Sequence, residues 1–149
     1  CSGKTAMALT QGKDEGLYSA QATLDVGTTA DQANPKVQEF FTEGAANGLD
    51  EATLQGGIAA AGWGFGSLFV KGLELTPTVD RATLMNTLYS MEDVNYGLML
   101  DDATTNTDGS TDPWVLEDLR IIVRAAGQWN EAAPLVSYDG TSNDLAGLK

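Results

Sequence analysis

The hydrophobic residues of this chain are concentrated in one long stretch, residues 57–73 (GIAAAGWGFGSLFVKGL). Apolar or small residues recur there every three or four positions, at Ile58, Gly62, Phe65, Phe69 and Leu73, which places them on one face of a helix. The rest of the helix surface is also mostly apolar, so we predict a helix that is buried on most sides. Each glycine within a helix costs about 1 kcal/mol relative to alanine, and this cost predicts close approach by a neighbouring backbone.

Two further helices are indicated by their start signals and apolar stripes. Asn34 is a favoured N-cap and Pro35 a favoured first helical residue. The apolar positions of that helix are Val37, Phe40, Phe41 and Ala45, and Asn47 with Gly48 ends it. A second helix is predicted to begin after Thr78 or Asp80, with Leu84, Leu88 and Met91 on its buried face.

Shorter segments predict strands and loops. Residues 17–24 alternate as a strand does, and residues 96–100, 119–123 and 134–138 are further candidate strands. The intervening residues 101–113 are polar and irregular. Part of that segment, NTDGSTD at residues 106–112, has the outline of a calcium loop. However, Thr104 and Val115 would occupy the first and twelfth ligand positions, so we predict a solvated loop there.

The composition narrows the possible functions. The chain has 149 residues, 21 acidic and 8 basic side chains and a net charge of −13, whereas a nucleic-acid-binding protein normally has a basic face. It contains no histidine and one cysteine, which excludes a disulfide framework, an ordinary zinc site and histidine-based catalysis. Lys71 and Glu74 argue against a membrane span over the long apolar stretch, since a span needs about 20 mostly apolar residues.

Five short motifs, taken in order, resemble a known family. They are EGLY at residues 15–18, NPKVQEF at 34–40, AGWGFGSL at 61–68, DRATLMNTL at 80–88 and GQW at 127–129. Each motif is weak alone, but their order and spacing resemble the C-terminal part of a type I periplasmic solute-binding protein. The subgroup is that of branched-chain amino acid ABC transporters.

The resemblance implies an α/β fold with two lobes, each a three-layer sandwich, around a cleft. Such proteins are much longer than this chain, so the resemblance implies a C-terminal portion without the N-terminal lobe. It assigns residues 1–55 to the second lobe, residues 56–92 to helices that return toward the first lobe, and residues 93–149 to late strands and a tail.

The function implied by the resemblance is capture of a small solute outside the cytoplasm. The solute would be an amino acid or a related small acid or amide, delivered to the membrane subunits of an ABC importer after hinge closure of the lobes. The resemblance implies no catalysis, metal or cofactor. Glu15 would hold the ammonium group of the solute through a charge-assisted hydrogen bond, Ile58 would contact its side chain, and Tyr18 would line the cleft. From the residues alone, the simpler interpretation of these three is a surface glutamate, a core residue and a packing residue, respectively.

Other function classes stay open. Sensor domains of receptors share this fold, so capture could serve signalling. Cys1 begins a Cys-Ser-Gly sequence like that of a mature bacterial lipoprotein, which would make the chain a lipid-anchored surface or adhesion module. The simpler interpretation of Cys1 is the beginning of a fragment. An enzyme would need paired carboxylates such as Glu15 with Asp25 or Asp50, and their spacing gives this no support.

Overall fold

The computed structural model describes residues 7–109 and 111–141, so Cys1 and its suggested lipid attachment lie outside the described residues. The elements in chain order are β1 (Tyr18–Gln21), α1 (Thr29–Gln32), α2 (Pro35–Ala46), α3 (Glu51–Leu54), α4 (Gly57–Leu75), α5 (Arg81–Leu88), β2 (Asp118–Ala125) and β3 (Gln128–Ser137). The long apolar stretch, the Asn-Pro segment and the segment after Asp80 are therefore helices, as predicted. However, α5 ends at Leu88 and has no fully buried residue, so Met91, which was predicted on its buried face, is buried beyond the helix.

The helix starts follow from short-range hydrogen bonds. The Asn34 side chain accepts a hydrogen bond from the Lys36 N–H at the start of α2, and Asp80 does the same for the Thr83 N–H at the start of α5. Each cap satisfies a backbone donor that has no partner inside its helix. The end of α2 also agrees with prediction, since Gly48 takes the positive φ of 86° that glycine tolerates best.

The sheet is three-stranded and antiparallel, with the order β1-β2-β3. Tyr18 pairs with Val123 at one end of the β1–β2 ladder. β2 and β3 form a hairpin whose turn residues, Ala126 and Gly127, both have positive φ, as tight hairpin turns require. The strand predicted over residues 17–24 is shortened to β1, and the last strand begins earlier than predicted, at Gln128.

The hydrophobic core lies between α2 and two irregular segments. Its buried members are Leu24, Val26, Val37, Phe40, Leu54, Tyr96, Leu98, Met99, Leu100 and Ala103. The strand predicted over residues 96–100 is not formed. Gly97 turns the chain there with a φ of 51°, and pairing is limited to an isolated bridge between Thr23 and Met99. These apolar residues belong to the core but not to a strand. The sequence pattern alone cannot distinguish a buried irregular segment from a buried strand.

The prediction that α4 is buried on most sides is wrong for this chain. Its partly buried face, which includes Trp63 and Leu68, packs on the core. The face predicted to be buried is exposed, with Ile58 at 91% and Phe65 at 73% exposure. The expected close approach by a backbone is not found at the Cβ positions of the α4 glycines. An added Cβ at Gly72 would lie 2.6 Å from the Leu88 side chain, and one at Gly62, Gly64 or Gly66 would meet no atom within 4 Å. Within the described residues, no helix combines the length and apolarity that a membrane crossing needs.

Candidate functional site

A cavity of about 420 Å³ lies between β1, the N-terminal half of α4 and the segment around Leu98. Its apolar walls include core residues such as Leu24 and Met99. α4 contributes residues with small side chains or none, among them Ala60 and Gly64. The sequence therefore creates this cavity by placing small residues of a long helix opposite a large apolar core.

The small residues of α4 are what leave this space open. A Cβ added at Gly57 or Gly64 would meet no other atom within 4 Å. Both glycines line the cavity together with Phe65. The helix thus pays the glycine cost without a tight backbone contact at these two positions. The volume falls in the range of small-molecule sites, which are mostly apolar with a few polar groups.

Asp25 is the carboxylate that lines this cavity, and it also lines a second cavity of about 680 Å³. Burial, together with the nearby Asp31 carboxylate, raises its pKa above the ordinary value, although a hydrogen bond from the Gly27 N–H opposes this. That N–H lies 2.9 Å from Asp25 Oδ1. A carboxylate that is poorly solvated in this way gains from a cationic group such as an ammonium.

The second cavity is more polar than the first. It contains the ion pair between Arg124 Nε and Asp14 Oδ2, which are 2.9 Å apart and both largely buried. The Arg124 guanidinium also lies 5.7 Å from the centre of the Trp129 ring. Arg124 is thus already engaged by a carboxylate and an aromatic face. Arg120, which also lines this cavity, pairs with Asp102 and Glu131, so the cavity offers little free positive charge to a ligand.

The structure places the three residues predicted to bind the solute outside these cavities. Glu15 is exposed, and its Oε2 accepts a hydrogen bond of 3.1 Å from the Ala126 N–H in the hairpin turn. Tyr18 is exposed on β1, and Ile58 is exposed in the first turn of α4. None of the three lines either cavity. Their role in binding stays a prediction.

Asp25 is the candidate that sequence reasoning missed. It was considered only as a catalytic partner for Glu15. The available signal was its position after an alternating apolar segment and before Gly27, where a strand end would direct a carboxylate toward neighbouring elements. The position of Asp25 in the sequence does not reveal the cavity, because the other walls of the cavity come from α4 and the segment around Leu98.

Comparison with known proteins supports the fold. No protein-family model and no curated protein matches the sequence. Among solved structures, the chain is similar to a branched-chain amino acid ABC transporter from Thermus thermophilus with bound valine, with a TM-score of 0.64 and 16% identity. The match covers 91% of this chain and 37% of that protein, so the chain spans a little over a third of its length. The fold is therefore α/β and corresponds to part of a type I periplasmic-binding-protein fold, as predicted.

Proposed function

We propose that this chain is part of an extracytoplasmic protein that captures a small solute, an amino acid or a related small acid or amide, for an ABC importer. The observation that carries the proposal is the fold similarity over 91% of the chain to a branched-chain amino acid ABC transporter with bound valine. The ordered motifs of the sequence point to the same group of proteins. Capture needs no catalytic residue, metal or cofactor.

The exposed face of α4 fits a protein with a second lobe. Ile58, Phe65 and Phe69 present large apolar surfaces to solvent, and such patches mark sites that are covered by a partner. Since the chain spans 37% of the similar protein, we assign this face to contact with a second lobe of the complete protein. The division of the chain into residues 1–55, 56–92 and 93–149 is also part of this proposal. In this chain, residues of the first and third segments form one core, and residues of the second segment pack against it.

In the proposed mechanism, the solute sits at the cleft between the lobes and closure is driven by contacts with both of them. The apolar cavity beside α4 suits the hydrophobic part of a small amino acid, and Asp25 at its edge suits the ammonium group. Glu15, Tyr18 and Ile58 are the contacts that the family resemblance suggests. Glu15 and Asp25 are therefore competing candidates for the contact with the ammonium group.

The test is calorimetric titration of the complete two-lobe protein, after a thermal-shift screen of amino acids and small acids. A ligand at 100 times its dissociation constant adds about 2.7 kcal/mol of stability, so binders are identified readily. Glu15→Gln is expected to weaken an amine-bearing ligand by about tenfold or more, because it removes the negative charge that pairs with the ammonium group. Glu92→Gln is the matched control, since Glu92 is exposed and lines neither cavity.

Asp25→Asn decides between the two carboxylates. Asparagine keeps an oxygen that can accept from the Gly27 N–H, so the local turn should survive the change. If Asp25→Asn weakens binding and Glu15→Gln does not, the ammonium contact belongs to Asp25. If no amino acid, small acid or amide binds to the complete protein, the proposed function is wrong.

A further inference from the structure

Three carboxylates converge where the end of β3 meets the segment that leads into β2. Asp112, Glu117 and Asp139 each contribute one oxygen, and these oxygens all lie within 4.8 Å of one another. Asp112 is 6% exposed and Glu117 8% exposed, whereas Asp139 is exposed. Three negative charges at such distances, two of them largely removed from water, repel one another strongly unless a positive charge lies between them.

Asp112 supplies a second, independent observation. Its Oδ2 accepts a hydrogen bond of 2.9 Å from the Gly140 N–H, but its Oδ1 is buried and has no hydrogen-bond partner. Within residues 7–109 and 111–141, neither Asp112 nor Asp139 forms an ion pair. A buried carboxylate oxygen is costly without a donor or a cation, and this one belongs to a carboxyl group of the cluster.

The three carboxylate side chains indicate which kind of cation would bind. All three offer oxygen, and the chain has no histidine, so the set suits a hard ion rather than zinc or copper. Calcium binds oxygen at about 2.4 Å, so two oxygens on one calcium ion are at most about 4.8 Å apart. The spacing of this cluster meets that limit. The exposed Asp139 side leaves room for the water molecules that would complete the coordination.

We propose that Asp112, Glu117 and Asp139 form a calcium-binding site. It differs from the calcium-like loop in the sequence at residues 106–112, because Glu117 and Asp139 lie beyond that loop and Asp139 comes from the far end of the β2–β3 hairpin. It also revises the expectation that the protein has no metal site. The proposal rests on the carboxylates alone and is independent of the proposed solute.

The proposed ion would fasten β3 to the segment before β2. Backbone contacts already join them, since the Tyr138 N–H donates to the Glu117 carbonyl at 3.0 Å. The adjoining Val115 and Leu116 line the apolar cavity beside α4. Val115 is held by a hydrogen bond of 2.6 Å from Thr105 Oγ1 to its carbonyl. Calcium bound here would therefore stabilise one wall of that cavity.

The test is calorimetric titration of calcium chloride into the chelator-treated protein, in a potassium chloride buffer and without any solute. We expect one calcium ion per chain and a thermal midpoint that rises with calcium concentration, because calcium binds the folded state alone. Asp139→Asn should weaken binding by about tenfold or more, since it removes one of three charged ligands. Because Asp139 is exposed, we expect this variant to fold normally, and near-ultraviolet circular dichroism checks that it does.

Two further variants separate a built site from general attraction to an acidic surface. Asp112→Asn should also weaken calcium binding by about tenfold or more. Glu92→Gln makes the same change in charge at an exposed residue outside the cluster and should leave binding unchanged. Absence of one-to-one binding, or equal weakening by Glu92→Gln and Asp139→Asn, would overturn the proposal. Failure to bind amino acids would leave it unaffected.

Discussion

The helices α2 and α4 both carry large apolar residues at helical spacing, but they differ in how these residues are covered. On α2, Val37 and Phe40 are almost completely buried. On α4, Ile58 and Phe65 are largely exposed. The helices touch each other, since the Phe40 and Trp63 rings form an edge-to-face pair with centroids 5.6 Å apart. Val37 and Phe40 of α2 are therefore covered by other parts of this chain, whereas α4 is covered on one face only.

This difference shows what an apolar periodicity specifies. It identifies a helix face that avoids water, because burial of apolar surface stabilises by about 25 cal/mol per Å². The apolar periodicity does not identify the part of the protein that covers this face. For α2 the cover comes from segments around Leu24 and Leu98, which are distant in the sequence. For α4 we propose a second lobe, and the following experiments test that contrast.

The largest expected effect is that of Phe40→Ala in the complete two-lobe protein. It should lower the free energy of unfolding by about 3–5 kcal/mol, because it leaves a cavity in a well-packed core. Phe65→Ala in the same protein should cost about 1–3 kcal/mol if a second lobe covers α4. Urea unfolding followed by tryptophan fluorescence measures both values. A cost below about 0.5 kcal/mol for Phe65→Ala would show that this face stays exposed.

A smaller effect is expected from the lysines of the two helices. On α2, Lys36 Nζ donates to Asn95 Oδ1 at 2.7 Å and to the Met99 carbonyl at 3.0 Å, and it pairs with Asp101 at 2.9 Å. On α4, Lys71 pairs with Glu74 within the helix. We expect Lys36→Met to cost about 1–3 kcal/mol and Lys71→Met about 0.5 kcal/mol or less.

The pH dependence identifies the source of the Lys36 effect. Hydrogen bonding to Lys36 holds the pKa of Asp101 below its ordinary value of 3.8. A lowered pKa in the folded state stabilises the protein above the ordinary value, and this contribution is lost as the pH falls through the folded pKa. Wild type and Lys36→Met should therefore differ less at low pH than at pH 7 in urea unfolding. A difference that is the same at both pH values would assign the effect to packing of the lysine stem.

The smallest effect is expected from the glycines of α4. A Cβ at Gly62 would meet no other atom within 4 Å, whereas a Cβ at Gly72 would lie 2.6 Å from the Leu88 side chain. In this chain without a second lobe, Gly62→Ala should stabilise α4 by about 1 kcal/mol through helix propensity. Gly72→Ala should give no gain, because Leu88 must move. Thermal melts followed by far-ultraviolet circular dichroism compare the two, and equal gains would contradict this prediction.

The candidate site was less predictable from the sequence than the helices were. Glu15 was singled out by family resemblance, yet its carboxylate faces the backbone of the hairpin turn at Ala126. Asp25 lines the cavity, but only because α4 and the segment around Leu98 are brought beside it. Asp112 and Asp139 converge although they are 27 positions apart in the sequence (139 − 112). Proximity between residues far apart in the sequence depends on the tertiary fold, which their spacing in the sequence does not reveal.

The sequence by itself determined where α2 and α5 begin and what class of fold the chain has. Capping by Asn34 and Asp80 acts over two or three residues, so the local sequence contains all the information. The tertiary structure decided which apolar faces are covered, where the cavity opens and which carboxylates meet. The physical reason is that the burial of a side chain and the repulsion between two carboxylates both depend on which residues from distant parts of the chain surround them. The exposed face of α4 is the clearest case, because its partner lies outside the chain in our proposal.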